Sequence, residues 1–377
     1  MNKIFLVGQA EVTSKVGGGI TVFVNMCNLF AKNGYDIYGL CYSEINKTPY
    51  GLDPGIRFVN LYKQGNNTGR FADAFQEFVR NEKPDLIIFS FHHLYIDAKL
   101  GHEFDHIPRI LMFQSRPDFY FEFVHHSNKH LRRLYRNTVS HVLLDSFKSL
   151  LPKYITKSRV VTIPNYVKHT DLTVDYSIQK NKCVFFSRID RCKGVELIID
   201  SLALLSPDYP QWSVDIYGQA ESEKFLNGLK ERAAAKGVQD RINFMGVSYN
   251  PFETLVNYDF CVFPSVFEGF GLGMVEAMAV GLTCVGRLSC SGVNEIIIDG
   301  VNGLLCGDKP QEYADGMRLL MSNASERVRM GKNAKAYASQ FSQAIFEQRW
   351  IGLANEVIHH KPLPMESLAD VKKIVRM

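Results

Sequence analysis

Glu268 and Glu276, with seven residues between them, are the side chains whose placement most suggests chemistry. They lie in the stretch Cys261 to Gly281, CVFPSVFEGFGLGMVEAMAVG. A short apolar strand, Asp259 to Phe263, leads into it and stops at Pro264 and Ser265. A glycine-rich loop, Glu268-Gly-Phe-Gly-Leu-Gly273, then opens a helix with Met274, Val275, Met278 and Ala279 among its apolar residues. Strand, loop and helix N-terminus make an anion site, because free backbone N–H groups and the positive end of the helix dipole converge there. A carboxylate beside an anion is repelled by it, so both acids suit hydrogen bonds from hydroxyls. The ligand that fits is an anion at one end and a polyol at the other, which describes a nucleotide sugar.

Two cations stand in the same half of the chain. Cys183 to Ser187 reads as a strand, Arg188 to Lys193 as a loop, and Gly194 to Leu205 as a helix with apolar residues at 195, 198, 199 and 202. Arg188 and Lys193 therefore flank a strand's carboxyl end. Either alone is an ordinary surface base, and together they are a firmer anion signal. The first half has its own glycine run, Gly17 to Gly19, between a buried strand at Lys3 to Val7 and a helix from Ile20. Val24, Cys27, Phe30 and Ala31 line that helix, and Gly34 caps it. The spacing is not G-x-G-x-x-G, so a ligand loop and a plain tight turn both remain open. Asp85 to Phe91, apolar enough for burial on both faces, delivers His92 and His93 to its C-terminal end. Ligands of open α/β sheets bind at such ends, so one of the two histidines can face a site, with a structural role as the alternative.

The elements that position these residues alternate throughout. In the first half Asp36 to Cys41, Arg57 to Leu61 and Pro108 to Phe113 read as strands, and Arg70 to Asn81 as a helix. Tyr120 to Tyr154 reads as helical and locally basic, with Lys129, His130, Arg132, Arg133 and Arg136 crowded together. That run is either a solvated face or a contact for an anionic acceptor or membrane surface. Val139 to Asp145 and Val160 to Ile163 complete a first sheet, and a polar segment reaches Lys182. The second half restarts with Ser213 to Tyr217, a helix near Glu221 to Lys236, and Arg241 to Met245. Thr283 to Gly286 and Val293 to Asp299, which carries Glu295, continue the strand pattern, and helices fill Pro310 to the end. Two doubly wound α/β halves facing a cleft follow from this alternation. The boundaries expected are 1–168, a linker at 169–181, 182–340, and C-terminal helices at 341–377 that pack back onto the first domain.

The 377 residues suit two domains of ordinary size. A formal charge of +4 is too weak to indicate nucleic acid. Eight cysteines without a C-x-x-C pair read as buried thiols in a reducing compartment. No stretch approaches the ~18 apolar residues of a membrane span, and the N-terminus is too short an apolar run for a signal peptide. A cytoplasmic protein is expected, with the basic run allowing peripheral contact at the inner face of the membrane.

Several segments resemble retaining glycosyltransferase family four, of the two-domain GT-B fold. They are Ser187-Arg188-Ile-Asp-Arg-Cys-Lys193-Gly194, Asp240 to Gly246, Pro264-Ser265 through Glu276-Ala277, Asn294-Glu295-Ile-Ile and Asp299 to Leu305. Gly17 to Gly19 and Ile163-Pro164-Asn165 fit as well. The resemblance implies a transferase that moves a sugar from a UDP- or GDP-sugar to a glycan or lipid-linked oligosaccharide. It further implies that Arg188 and Lys193 hold the diphosphate and stabilise its departing charge, so that no metal or other cofactor is required. Glu268 would accept hydrogen bonds from sugar hydroxyls, beside the backbone N–H groups of Phe270, Gly271 and Leu272. Glu276 would take the ribose diol, and Gly17, Gly18 and Gly19 would border the phosphates and acceptor. Relatives often carry His-Gly after the strand at 108 to 113, where this chain has Gln114-Ser115. Arg116 is the acceptor contact suggested there.

Three other readings stand beside the transferase. A glycosidase would use Glu268 and Glu276 as an acid and nucleophile, yet has no use for a diphosphate clamp. A nucleotide-sugar epimerase of the same shape would turn over without an acceptor. A non-catalytic binder would take up the nucleotide sugar and release it unchanged.

Overall fold

The elements are built on short, nearly uninterrupted apolar runs, the pattern of parallel strands buried on both faces. The computed structural model describes residues 1–8, 18–42, 48–49, 51–62, 71–90, 98–121, 133, 135, 138–156 and 159–359. The chain divides into two units, Met1–Pro164 with Phe346–Met377, and Asn165–Ile345. Among the described residues no helix is long and apolar enough to cross a membrane.

The first unit contains β1 (Lys3–Val7), α1 (Gly18–Lys32), β2 (Asp36–Cys41), β3 (Arg57–Asn60), α2 (Phe71–Glu82) and β4 (Leu86–Phe89). β5 (Arg109–Phe113), α3 (Asp118–Phe121), β6 (Thr138–Val142), α4 (Lys153–Thr156) and β7 (Val160–Thr162) follow. Its sheet runs β3-β2-β1-β4-β5-β6-β7 with every neighbour parallel. Leu86–Phe89 and Arg109–Phe113 are buried at every position.

The expected helix over Tyr120 to Tyr154 is not continuous. Of its described residues only Tyr120, Phe121, Arg133, Tyr135 and the start of α4 are α-helical, and β6 lies in its middle with a 3-10 turn at Asp145–Leu150. Thr138, Val139 and Val142 are β-branched, and Thr138, Ser140, His141 and Val142 are buried, so sheet packing outweighs the helical charge pattern. Lys129, His130, Arg132 and Arg136 lie outside the described residues. Arg133 is not an open surface cation: it binds Asp105 at 2.6 Å and also donates to the Leu100 carbonyl.

The second unit contains β8 (Lys182–Phe186), α5 (Val195–Leu205), β9 (Ser213–Tyr217), α6 (Glu223–Ala235), β10 (Ile242–Gly246), α7 (Pro251–Leu255) and β11 (Phe260–Phe263). α8 (Leu272–Ala279), β12 (Thr283–Arg287), β13 (Gly303–Cys306), α9 (Pro310–Ser322) and α10 (Ala324–Ala338) complete it. Its parallel sheet has the order β10-β9-β8-β11-β12-β13. Strand order reverses between β8 and β11, so the crevice at their carboxyl ends is the topological switch point where ligands of such sheets bind.

Val293 to Asp299 is turn rather than strand, with a single bridge residue at Asp299. The fully buried Asn302 explains it: its Oδ1 accepts from Ile298 N at 2.7 Å and its Nδ2 donates to Ile296 O. That side chain satisfies backbone groups a strand would have given to a neighbour, and the last strand falls instead at Gly303–Cys306. Residues 169–181 are part of the second unit, held by Val174 N donating to Val280 O at 2.9 Å and by Tyr176 Oη donating to Gly281 O at 2.8 Å. The last helix, α11 (Gln343–His359), belongs to the first unit from Phe346 onward, where Trp350 packs on His141 with ring centroids 4.7 Å apart.

Candidate active site

Two loops meet at the switch point of the second sheet. The one after β8 turns tightly: Asp190 accepts from Cys192 N at 3.0 Å, caps the 3-10 turn Arg191–Lys193, and Gly194 ends it at φ 68°. A Cβ at Gly194 would sit 2.4 Å from the Pro264 carbonyl oxygen, so only glycine lets the loops approach this closely. Val266 N then donates to Cys192 O at 2.8 Å and stitches them together.

That backbone brings Lys193 and Glu268 into contact. Lys193 Nζ lies 2.5 Å from Glu268 Oε1, and both residues are buried. Ser265 Oγ, also buried, donates to the same oxygen at 2.8 Å. Glu268 is fixed by its backbone too, its N–H donating to Ser291 O at 3.0 Å. Gly292, at φ 90°, approaches so closely that a Cβ would be 2.3 Å from the Glu268 carbonyl oxygen. Among the described residues Oε2 has no partner, and Lys193 has no second acceptor. A buried ion pair thus leaves one carboxylate oxygen and two ammonium protons for a ligand.

Arg188, on the same loop, is exposed and lies 3.2 Å from Asp190. Its guanidinium can swing onto an anion in a way that the buried Lys193 cannot. Gly271 takes the left-handed conformation, φ 75°, that lets the loop enter α8. Gly273 abuts the end of β8, where a Cβ would meet the Phe186 carbonyl oxygen at 2.0 Å. The opening N–H groups of α8, at Leu272 and Gly273, are left unpaired by helix geometry and give the anion its donors. Phe270 is buried with its ring edge-on to Phe341 at 5.1 Å, so its backbone, not its ring, borders the loop.

Glu276 lies just over one turn into α8, partly buried and without a hydrogen-bond partner among the described residues. Desolvation pushes its carboxyl up to about 7, opposed by the charge of Lys168. An unpaired, desolvated carboxyl gains most from a ligand that donates two hydrogen bonds. Burial also pushes the Cys290 thiol, near Glu268 and Lys193, up to about 12, which leaves it no nucleophile.

The first unit's candidates are less completely described. Gly17, His92 and His93 lie outside the described residues, and Gly18 and Gly19 are the first two residues of α1. Arg116 is engaged with Asp118, its Nη2 2.5 Å from Oδ2, so an acceptor would have to compete with that pair. The donor-side residues Arg188, Lys193, Glu268 and Glu276 are all described in the second unit. Sequence reasoning missed Ser265, Asp190, Gly292 and Lys168 as site residues. The serine three residues before Glu268 was the only local cue. Among the described residues no group of three or more His, Cys, Asp or Glu is placed to hold a metal ion.

The profile of the glycosyl transferases group 1 family matches residues 176–337. An uncharacterized glycosyltransferase of Haemophilus influenzae is 22% identical over 348 residues, 89% of this chain and 96% of its own. The lipopolysaccharide core biosynthesis mannosyltransferase LpsB of Rhizobium meliloti is 39% identical over 160 residues, 41% of this chain and 45% of its own. The chain therefore matches less than half the length of that enzyme. The crystal structure of Anabaena HepE in complex with UDP and glucose superposes with a TM-score of 0.73 at 17% identity, over 94% of this chain and 100% of that one. At that identity the likeness concerns the fold.

Proposed function

We propose that this chain, a group 1 glycosyltransferase of GT-B fold that draws its sugar from a nucleotide sugar, keeps the anomeric configuration of its donor. A UDP- or GDP-sugar fits the donor side, and a glycan or lipid-linked oligosaccharide fits as acceptor. The observation that carries the reading is the buried Lys193–Glu268 pair, held at the switch point beside the N-terminus of α8. It presents opposite charges to one ligand within a few ångströms, which suits a diphosphate joined to a sugar. HepE, of the same fold, was crystallised with UDP and glucose. The mannosyltransferase relative acts in lipopolysaccharide core biosynthesis, which supports a lipid-linked acceptor reached at the cytoplasmic face of the membrane.

Each side chain then has a task. Two protons of the Lys193 ammonium and the Arg188 guanidinium bind the diphosphate oxygens, and the opening N–H groups of α8 add their dipoles. These donors stabilise the charge that grows on the leaving diphosphate as the glycosidic bond lengthens. Glu268 Oε2 accepts a hydroxyl of the donor sugar. Glu276 accepts both ribose hydroxyls, which favours its ionised form. The acceptor hydroxyl attacks the anomeric carbon on the face the diphosphate leaves, and the departing phosphate oxygen takes its proton. The cations already present meet the electrostatic demand, so no divalent ion is required.

The reading is tested by the stereochemistry of the product. NMR of material made from an α-linked nucleotide sugar should show an α-glycosidic linkage. A β linkage would overturn the proposal, as would wild-type transfer rates in both Arg188→Ala and Lys193→Ala.

A further inference from the structure

The carboxylate of Glu268 has two oxygens in unlike surroundings. Oε1 takes both the Lys193 ammonium at 2.5 Å and the Ser265 hydroxyl at 2.8 Å. Oε2 has no partner among the described residues. A carboxylate held by one cation alone can rotate about its last torsion and exchange its oxygens, since that torsion is broad and roughly two-fold. A second donor fixed in the fold removes the freedom. Ser265 is such a donor, because it is wholly buried, directly follows Pro264, and sits on the loop stitched to Cys192.

From this geometry we infer that Ser265 is a positioning residue for donor recognition. Its hydroxyl fixes Glu268 so that Oε1 remains with Lys193 and Oε2 is offered to a hydroxyl of the donor sugar. The inference rests on the donor-site reading above and deepens it. Ser265 touches no ligand, and it acts only through the carboxylate it holds. It thereby separates two tasks that share one ion pair. Lys193 serves the diphosphate whichever way the carboxylate turns, whereas sugar recognition depends on which oxygen faces outward.

The separation makes the role measurable. Calorimetry would compare binding of a nucleotide sugar, UDP-glucose or GDP-mannose, with binding of bare UDP or GDP. In Ser265→Ala, affinity for the nucleotide sugar should fall by about tenfold, the scale of one hydrogen bond to a charged group. Affinity for the bare diphosphate should stay within about twofold. Should the alanine variant fail to fold, Ser265→Cys keeps the volume with a weaker donor and should show the same selective loss, smaller in size. Equal losses for both ligands would assign Ser265 a purely structural role and overturn the inference, as would no loss for either. Wild-type protein that bound neither kind of ligand would sink the functional reading itself, a distinct outcome.

Discussion

Removing the Lys193 charge should unfold the second unit at a markedly lower temperature, and removing the Glu268 charge as well should undo most of that loss. In Lys193→Met the apolar stem remains, but the Glu268 side chain, only 9% exposed, keeps its charge with Ser265 as its sole side-chain donor among the described residues. Stranding one member of a buried pair costs about 3–5 kcal/mol. A unit the size of Asn165–Ile345 loses about 2–4 °C of melting temperature per kcal/mol, so the transition should fall by about 6–20 °C. In Lys193→Met/Glu268→Gln both charges of the pair are gone, and the amide still accepts from Ser265, so the melting temperature should return most of the way. Neither variant should bind a nucleotide sugar, because the diphosphate has lost its ammonium in both. Thermal unfolding of the two variants, with calorimetry for binding, separates the fold's need for neutrality from the site's need for charge. A single variant melting within about 2 °C of wild type, or a double variant no more stable than the single, would refute this account of the pair.

Donor affinity should depend on pH through Glu276. With its carboxyl near 7, about a tenth is ionised at pH 6 and about nine-tenths at pH 8, so nucleotide-sugar affinity should rise about tenfold over that range. The rise should vanish in Glu276→Gln, and a persisting slope would place the titrating group elsewhere. In the first unit, burial pulls the His141 imidazole down to about 4, while the unfolded chain titrates near 6.5. The unfolded state thus binds more protons between those values, so stability is intact above about 6.5 and declines by about 3 kcal/mol as pH falls to about 4. Urea unfolding at stepped pH should show that decline flattened in His141→Gln relative to wild type.

Much of the fold was legible because parallel strands buried on both faces have little room for polar interruption. The runs at Lys3–Val7, Leu86–Phe89, Ser213–Tyr217 and Phe260–Phe263 all became strands, and the loop after the last of them carries Ser265 and Glu268 of the candidate site. Around β6 the sequence offered both a helix over Tyr120 to Tyr154, suggested by its basic residues, and a strand from Val139 to Asp145, and the β-branched Thr138, Val139 and Val142 decided for the strand. Val293 to Asp299 has strand composition, yet the buried side chain of Asn302, itself outside that run, turns it. At the site, residue types were visible and partnerships were not. Lys193 and Glu268 were assigned to the phosphate and sugar ends of one ligand, and they bind each other. A contact across 75 residues depends on Gly194 and Gly292 admitting two backbones to within touching distance. No spacing rule along one chain reports that.

Capture of a nucleoside-diphosphate sugar by the second unit, through Lys193 and Glu268, is the core of the proposed function. It is tested most directly by thermal shift of the full chain against a panel of UDP- and GDP-sugars, with wild type and Lys193→Met side by side. A ligand present at 100 times its Kd stabilises the wild-type fold by about 2.7 kcal/mol, a rise of several degrees. One nucleotide sugar of the panel should produce that rise in wild type and none in the variant. No shift with any donor, or the same shift in both proteins, would contradict the account.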